Sequence, residues 1–203
     1  EGHPVQALWC DPADGIVARI VRALAERQLH AARTVVLVPY AQLMGVARAM
    51  WARCGSPGFV PRFETTHNWA RSAGGFVPTG YDIAHDMARD LVTAQALLSQ
   101  AGFHAERFAL AGRVVALAYQ LGPLAAAVTP EERGGEWAQR AASVADAGSE
   151  SEWFRIESAL IRIAVAWTST SCYATDVLQR ESTRAQVDAL IVLQPFVEGA
   201  NSQ

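Results

Sequence analysis

Residues 34–53, TVVLVPYAQLMGVARAMWAR, carry the reading that decides the fold. The run from Thr34 to Val38 is rich in β-branched residues and uninterrupted by charge, the composition of a strand buried on both faces in a parallel sheet. Pro39 ends it, because proline has no N–H to give to a ladder. Leu43, Val46, Ala47, Met50 and Trp51 then recur at helical spacing and form one apolar face. Strand, tight turn and helix make half of a βαβ unit, and open α/β sheets bind ligands at the carboxyl ends of their strands.

Upstream, residues 5–10 read as a first strand. Asp11, Pro12, Ala13, Asp14 and Gly15 supply turn chemistry, with Asp14 as a helix N-cap. Ile16, Ile20, Val21 and Leu24 follow as the apolar face of a helix ending near Gln28. Residues 1–4 read as a loose end outside the fold.

Downstream, residues 55–58 break the pattern, and residues 59–66 read as a third strand leading into His67-Asn68-Trp69-Ala70. A Gly/Pro-rich linker covers residues 72–80. Alanine-rich helical character then runs to about residue 182, with helices expected near 81–101, 105–121, 130–145 and 150–173. Thr129 and Pro130 fit an N-cap and first helical position, with Glu131 and Glu132 placed well for the helix dipole. Gly102 and Gly148 mark breaks. Residues 187–196, VDALIVLQPF, return to a buried strand interrupted by Pro195. The expected sheet thus joins residues 5–10, 34–38, 59–65 and 189–193. The organisation expected is a lobe of residues 1–75 plus 184–203, with residues 76–183 as a helical insert. There is no internal repeat and no low-complexity tract.

The chain has 203 residues, 51% of them apolar, and a mean hydropathy of +0.09, so a packed core is expected. All 17 basic residues are arginine. Without lysine, a Walker phosphate loop, Schiff-base chemistry and a PD-(D/E)xK nuclease motif are all incomplete. The net charge of −3 argues against a strongly basic nucleic-acid module. No apolar run reads as long enough to span a bilayer, and no secretory signal opens the chain. Cys10, Cys54 and Cys172 are scattered and odd in number, which suits reduced thiols in a cytoplasmic protein.

Several constellations could carry chemistry. The CDPADG loop stands where a nucleotide-binding fold would place its glycines, but its two carboxylates would repel phosphate. Leu193-Gln194-Pro195 on the last strand lacks the acidic pair that holds magnesium in nucleotide hydrolases. Asp82, Asp86 and Asp90, with His85, fall on one face of the expected helix and could bind a divalent cation, or could be a solvated surface. Cys10 and His67 could form a nucleophile pair. His3, His30 and His104 have no evident partners. Trp137, Trp153 and Trp167 read as packing anchors. The segment Thr65-Thr66-His67-Asn68-Trp69-Ala70, beside Pro39-Tyr40-Ala41-Gln42, gathers donors and an aromatic at one sheet edge, a surface suited to a strand of nucleic acid or to ordinary turn chemistry.

These segments, taken in order, resemble the N-terminal lobe of UvrD-like superfamily 1 helicases. VVLVPYAQLMGVARAMW resembles the turn after their second strand, FETTHNWARS their Thr-x-His segment, and VDALIVLQPF the strand that carries Asp-Glu in active members. The altered phosphate loop, Asp11 to Gly15, and the missing acidic pair resemble the inactivated lobes of AddB-like and RecC-like proteins of the PD-(D/E)xK helicase–nuclease family. The resemblance implies a RecA-like, P-loop NTPase-like α/β lobe with a large helical insertion and a degenerate nucleotide site, binding no ATP, cofactor or metal. It implies a non-catalytic lobe of a DNA double-strand-break repair and recombination protein, engaging single-stranded DNA or a duplex end, or scaffolding a helicase–nuclease partner subunit. Carried over by position, Tyr40, Gln42, Thr66, His67 and Asn68 would face the DNA. Two rival expectations are a protein-docking module and a small α/β enzyme using the Asp82/His85/Asp86 face or the CDPADG loop.

Overall fold

The computed structural model describes residues 4–147 and 151–193. Two compact units emerge: Glu1–Gly74 with Val177–Gln203, and Gly75–Asp176. The first holds ten arginines against eight carboxylates, net +2; the second holds seven against twelve, net −5.

The first unit runs α1 (Pro4–Cys10), α2 (Ile16–Glu26), β1 (Thr34–Leu37), α3 (Ala41–Cys54), β2 (Arg62–Glu64) and α4 (Thr66–Ala73). The chain returns to it with α10 (Glu181–Arg184) and β3 (Ala189–Val192). Its sheet has three strands in the order β2-β1-β3, all parallel. Val35 and Val36 in the central strand are completely buried, as the β-branched run demands. The core gathers Trp9, Val17, Ile20, Leu24, Val36, Ala47, Trp51 and Phe63.

The second unit is helical: α5 (Met87–Gln100), α6 (Arg107–Ala126), α7 (Pro130–Glu132), a π turn over Arg133–Trp137 kinked at Gly135, α8 (Ala138–Ser143) and α9 (Glu152–Thr170). Its core packs Ala94, Leu98, Ala111, Val114, Val115, Ala118, Leu160 and Trp167. Thr129 caps α7 by accepting from Glu132 N, with Pro130 in the first position. By length and composition α6 could cross a membrane, which differs from the sequence reading. Its Val114, Val115 and Ala118 are nevertheless buried in the core of this unit.

The architecture corrects the expected fold class. The described residues are predominantly helical, with one sheet of three short strands. This is neither a RecA-like, P-loop lobe nor a PD-(D/E)xK nuclease fold, and the resemblance to inactivated superfamily 1 helicases falls with it. The decisive difference is residues 5–10, expected as the first strand and found in α1. Pro4 opens that helix, and Gln6, Ala7 and Leu8 are strong helix formers with only Val5 β-branched. Other elements move less. The third strand shrinks to Arg62–Glu64, and helix replaces strand from Thr66 onward. The helix expected from residue 81 starts at Met87. Gln194, Pro195, Phe196 and Gly148 lie outside the described residues.

The expectation of unpaired thiols is also corrected. Cys10 and Cys54 form a disulfide with a Cα–Cα separation of 5.5 Å, joining the last residues of α1 and α3. The Cys10/His67 nucleophile pair is thereby excluded. Cys172 is free and exposed.

Candidate functional site

The CDPADG loop connects two helices, not a strand and a helix. Asp11 Oδ1 accepts from Ala13 N at 2.7 Å and from Asp14 N at 3.2 Å, an Asx turn. Gly15 is the N-cap of α2 in place of Asp14. A Cβ there would sit 2.6 Å from Asp11 N and O, so only glycine fits this corner. Pro12, Ala13 and Asp14 are exposed, and Arg22 Nη2 donates to Ala13 O at 2.7 Å. The backbone hydrogen bonds are spent on the corner itself, and no phosphate cradle forms.

The acidic set also resolves into structural roles, because Asp82 and Asp86 precede α5 and share no helical face with Asp90. Asp86 is the N-cap of α5, accepting from Arg89 N. Asp82 accepts from Thr79 N at 3.0 Å and Cys172 N at 2.8 Å. Asp90, fully buried, accepts from Ala84 N at 2.9 Å and from Tyr119 Oη at 2.6 Å. Burial, then the hydrogen bond to Asp90, then the charges of Asp90 and Asp86 push Tyr119 up to about 12. His85 rests against the Tyr119 ring, centroids 4.9 Å apart. No group of three metal-ligating side chains occurs among the described residues. Desolvation, followed by the Asp82 and Asp176 charges, pushes the Cys172 thiol up, which favours the unreactive protonated form. Of the tryptophans, Trp167 is buried and donates to Tyr81 O at 2.6 Å. Trp153 is exposed beneath Arg113, so it is not a core anchor.

The residues expected to face nucleic acid do gather at one end of the sheet. β1 and β2 finish in register, Leu37 opposite Glu64, and Val38 N donates to Glu64 O at 2.9 Å. Each strand passes straight into a helix. Tyr40, 59% exposed, is the N-cap of α3 and makes no side-chain cap bond. Gln42, Thr66 and His67 are exposed on the first turns of α3 and α4. Asn68 differs: its Nδ2 reaches Met44 Sδ at 3.3 Å, tying the two first turns together. Thr65, not Thr66, caps α4 by accepting from Asn68 N.

The sequence reading missed a pocket in the same unit. It is open, about 390 Å³, and lies between α2, the segment 28–31, α3 and the segment 56–59. Val21, Leu24 and Ala25 form one wall, Trp51 another, and Pro57 and Phe59 a third. His30 and Phe59 meet at a centroid distance of 4.7 Å and both line it. Gln28 and Ser56 add an amide and a hydroxyl, while no carboxylate or guanidinium is among the lining residues. Trp51 is 4% exposed, and its indole N–H is buried without an acceptor among the described residues.

The geometry of the helix end explains this hollow. Leu29 N donates to Leu24 O and Gln28 N to Ala25 O, the paired bonds of a Schellman ending, with Gln28 at φ 53°. α5 ends the same way around Gly102 at φ 95°. A non-glycine residue pays about 1–2 kcal/mol for that conformation. Here it places an amide side chain on the pocket. A conformational signal of this kind is invisible to hydrophobic periodicity, and Phe59, which the sequence places in a strand, is exposed and precedes β2.

No protein family model, no curated protein and no solved structure matches the chain. The helicase–nuclease reading, with its repair and recombination role, is therefore withdrawn on the architecture described above, which supplies neither its sheet nor its phosphate loop.

Proposed function

We propose that the α/β unit is a small-molecule-binding module, and that the chain acts by holding a ligand and not by turning one over. The pocket carries this reading: it is open and mostly apolar with a few polar groups, and its volume of about 390 Å³ falls in the range of small-ligand sites. Elsewhere, Asp82, Asp86 and Asp90 are engaged in caps and turn bonds, which supports a non-catalytic role. The Cys10–Cys54 disulfide supports an oxidising compartment over the cytoplasm expected from the sequence. The test is amide chemical-shift mapping with a mixed fragment set, on the parent protein and on Ala25→Trp, which fills the pocket from α2. Shifts confined to residues 24–31 and 51–59 and lost in the filled variant support the module. Absence of any such shift at millimolar ligand overturns it.

A second reading is favoured by the shared edge of β1 and β2. Tyr40, Gln42, Thr66 and His67 stand exposed there, on a unit of net charge +2, and this suits weak contact with single-stranded nucleic acid. Fluorescence anisotropy at low salt, with Tyr40→Ala and His67→Ala, tests it. Undiminished binding by both variants, or none by the parent, removes it.

A further inference from the structure

The Cys10–Cys54 bridge joins the last residues of α1 and α3. We propose that it is a redox latch: reduction by an external dithiol releases α1 from the α/β unit and exposes Trp9 together with the apolar seat that Trp9 fills.

Three observations carry this. The first is how little else holds α1. Residues 4–8 are all exposed, with Val5 at 49% and Leu8 at 46%, and Trp9 is the buried residue of this helix. Trp9 belongs to the core with Val17, Ile20 and Trp51, so α1 is pinned at one end by an indole and the adjoining sulfur. Its seven residues fall well below the length at which a helix holds itself, about 12–15 residues. Once the covalent tie is gone, the burial of one side chain must offset the entropy of the freed segment.

The second is access and chemistry. Cys54 is exposed and Cys10 half-buried, so a thiolate can reach the bridge without unfolding the chain. One thiolate of the dithiol attacks Cys54 Sγ, forming a mixed disulfide and expelling the Cys10 thiolate, which takes up a proton. The second thiol then attacks the reductant's sulfur in that mixed disulfide and releases Cys54 as a thiol. Two electrons and two protons pass to the protein, and the reductant leaves as its own disulfide. Cys54 Sγ already lies 3.0 Å from Met50 O, so the thiol formed there finds an acceptor on α3 and stays with that helix. Cys10 leaves with α1.

The third is a hinge. α1 joins α2 through Asp11, Pro12, Ala13 and Asp14, all exposed, and the corner closes at Gly15. The corner carries no buried side chain, so α1 can swing about it while the faces of α2 and α3 stay packed on Val36 and Phe63.

The test uses the full chain labelled with nitrogen-15, before and after treatment with dithiothreitol at neutral pH without denaturant, with thiols counted by alkylation. Reduction should add two thiols to that of Cys172. Backbone order parameters of residues 5–10 should fall from the rigid range, about 0.85, to below about 0.6. The Trp9 indole resonance, assigned with Trp9→Phe, should move to the position of a solvated tryptophan, while β1 and β2 keep their order. Oxidised glutathione should restore the starting spectrum. The double variant Cys10→Ser with Cys54→Ser should show the released state without reductant. An α1 that stays ordered after confirmed reduction overturns the proposal, because the bridge is then a staple only. Loss of order throughout the α/β unit overturns it as well, since the tie is then global. So does a bridge that dithiothreitol opens only in denaturant.

Discussion

Arg133 meets the Asp176 carboxylate through two nitrogens, Nη1 at 3.1 Å and Nη2 at 2.6 Å, with the arginine 2% exposed. The same guanidinium donates to Ala125 O and Val128 O near the end of α6, and to Ser171 O just past α9. Its plane also lies over the Tyr173 ring at 4.6 Å. One side chain therefore satisfies terminal carbonyls that two helices would leave orphaned.

Removing it should take a donor from those carbonyls and the countercharge from Asp176, which keeps the Tyr173 N–H at 2.9 Å. Arg133→Met is expected to destabilise the helical unit by about 3–5 kcal/mol. Arg133→Lys should recover only part of this, because an ammonium cannot reproduce the planar fork. Urea denaturation followed by circular dichroism measures both; a loss below 1 kcal/mol for Arg133→Met refutes the role.

Tyr119 gives the helical unit a dependence on alkaline pH. Its hydroxyl stays protonated in the folded state up to about 12, against an ordinary value of 10.0. The folded state thus holds its proton more tightly than the unfolded state. The stabilising contribution is full below pH 10 and lost as pH rises from 10 to about 12. Tyr119→Phe should flatten that alkaline decline and lower stability at pH 7 by about 1.5–3 kcal/mol, because buried Asp90 loses a donor. Ultraviolet difference titration and melts at stepped pH are the measurements; an unchanged alkaline profile counts against the assignment.

Gln28 and Gly102 occupy the same position in matching helix endings. Gln28→Gly should stabilise the α/β unit by up to about 1 kcal/mol by relieving the left-handed strain, offset in part by glycine's entropy. The same change should weaken ligand binding in the pocket, since the amide is removed. Paired thermal melts and fragment titrations distinguish this trade-off from a purely local effect, in which binding would not move.

The Cys10–Cys54 bridge predicts one titratable thiol, Cys172, in the non-reduced chain. Changing both bridged residues to alanine should cost about 2–4 kcal/mol, the usual range for closing a loop of this length. Thiol titration under denaturing conditions checks the first point, and urea unfolding the second. Three reactive thiols in protein purified without reductant would refute the bridge.

Much of the secondary structure was legible because its cause is local. Val35 and Val36 announce β1, and Ala47 and Trp51 bury the face of α3 that their spacing indicates. Thr129 and Pro130 mark a helix start by cap chemistry alone. Residues 5–10 failed because six residues contain too few positions to separate a strand from a helical turn, and Pro4, the first residue of α1, reads in the sequence as part of a loose end. The acidic face failed for a related reason: placing the helix start six residues early made a mid-helix position of Asp86, which is the N-cap. The disulfide and the pocket were illegible in principle. Both join residues distant in sequence, Cys10 with Cys54 and Leu24 with Phe59, and no local pattern encodes such meetings.

The pairing of Thr34 with Ala189 sets a timetable for the newborn chain. Neighbouring Arg33 and Asp188 are 155 residues apart, so at translation rates of ~5–20 residues per second β1 waits on the order of 10–30 s for β3. β2 arrives early, and the helices from Met87 to Thr170 have all been synthesised before Ala189 is added. Throughout that interval one side of Val35 and Val36 has its ladder groups open and its flank uncovered. Helices form in microseconds, whereas this strand cannot be completed sooner whatever its stability. The unpaired side of β1 is then open to mispairing with another nascent chain until Ala189–Val192 arrives.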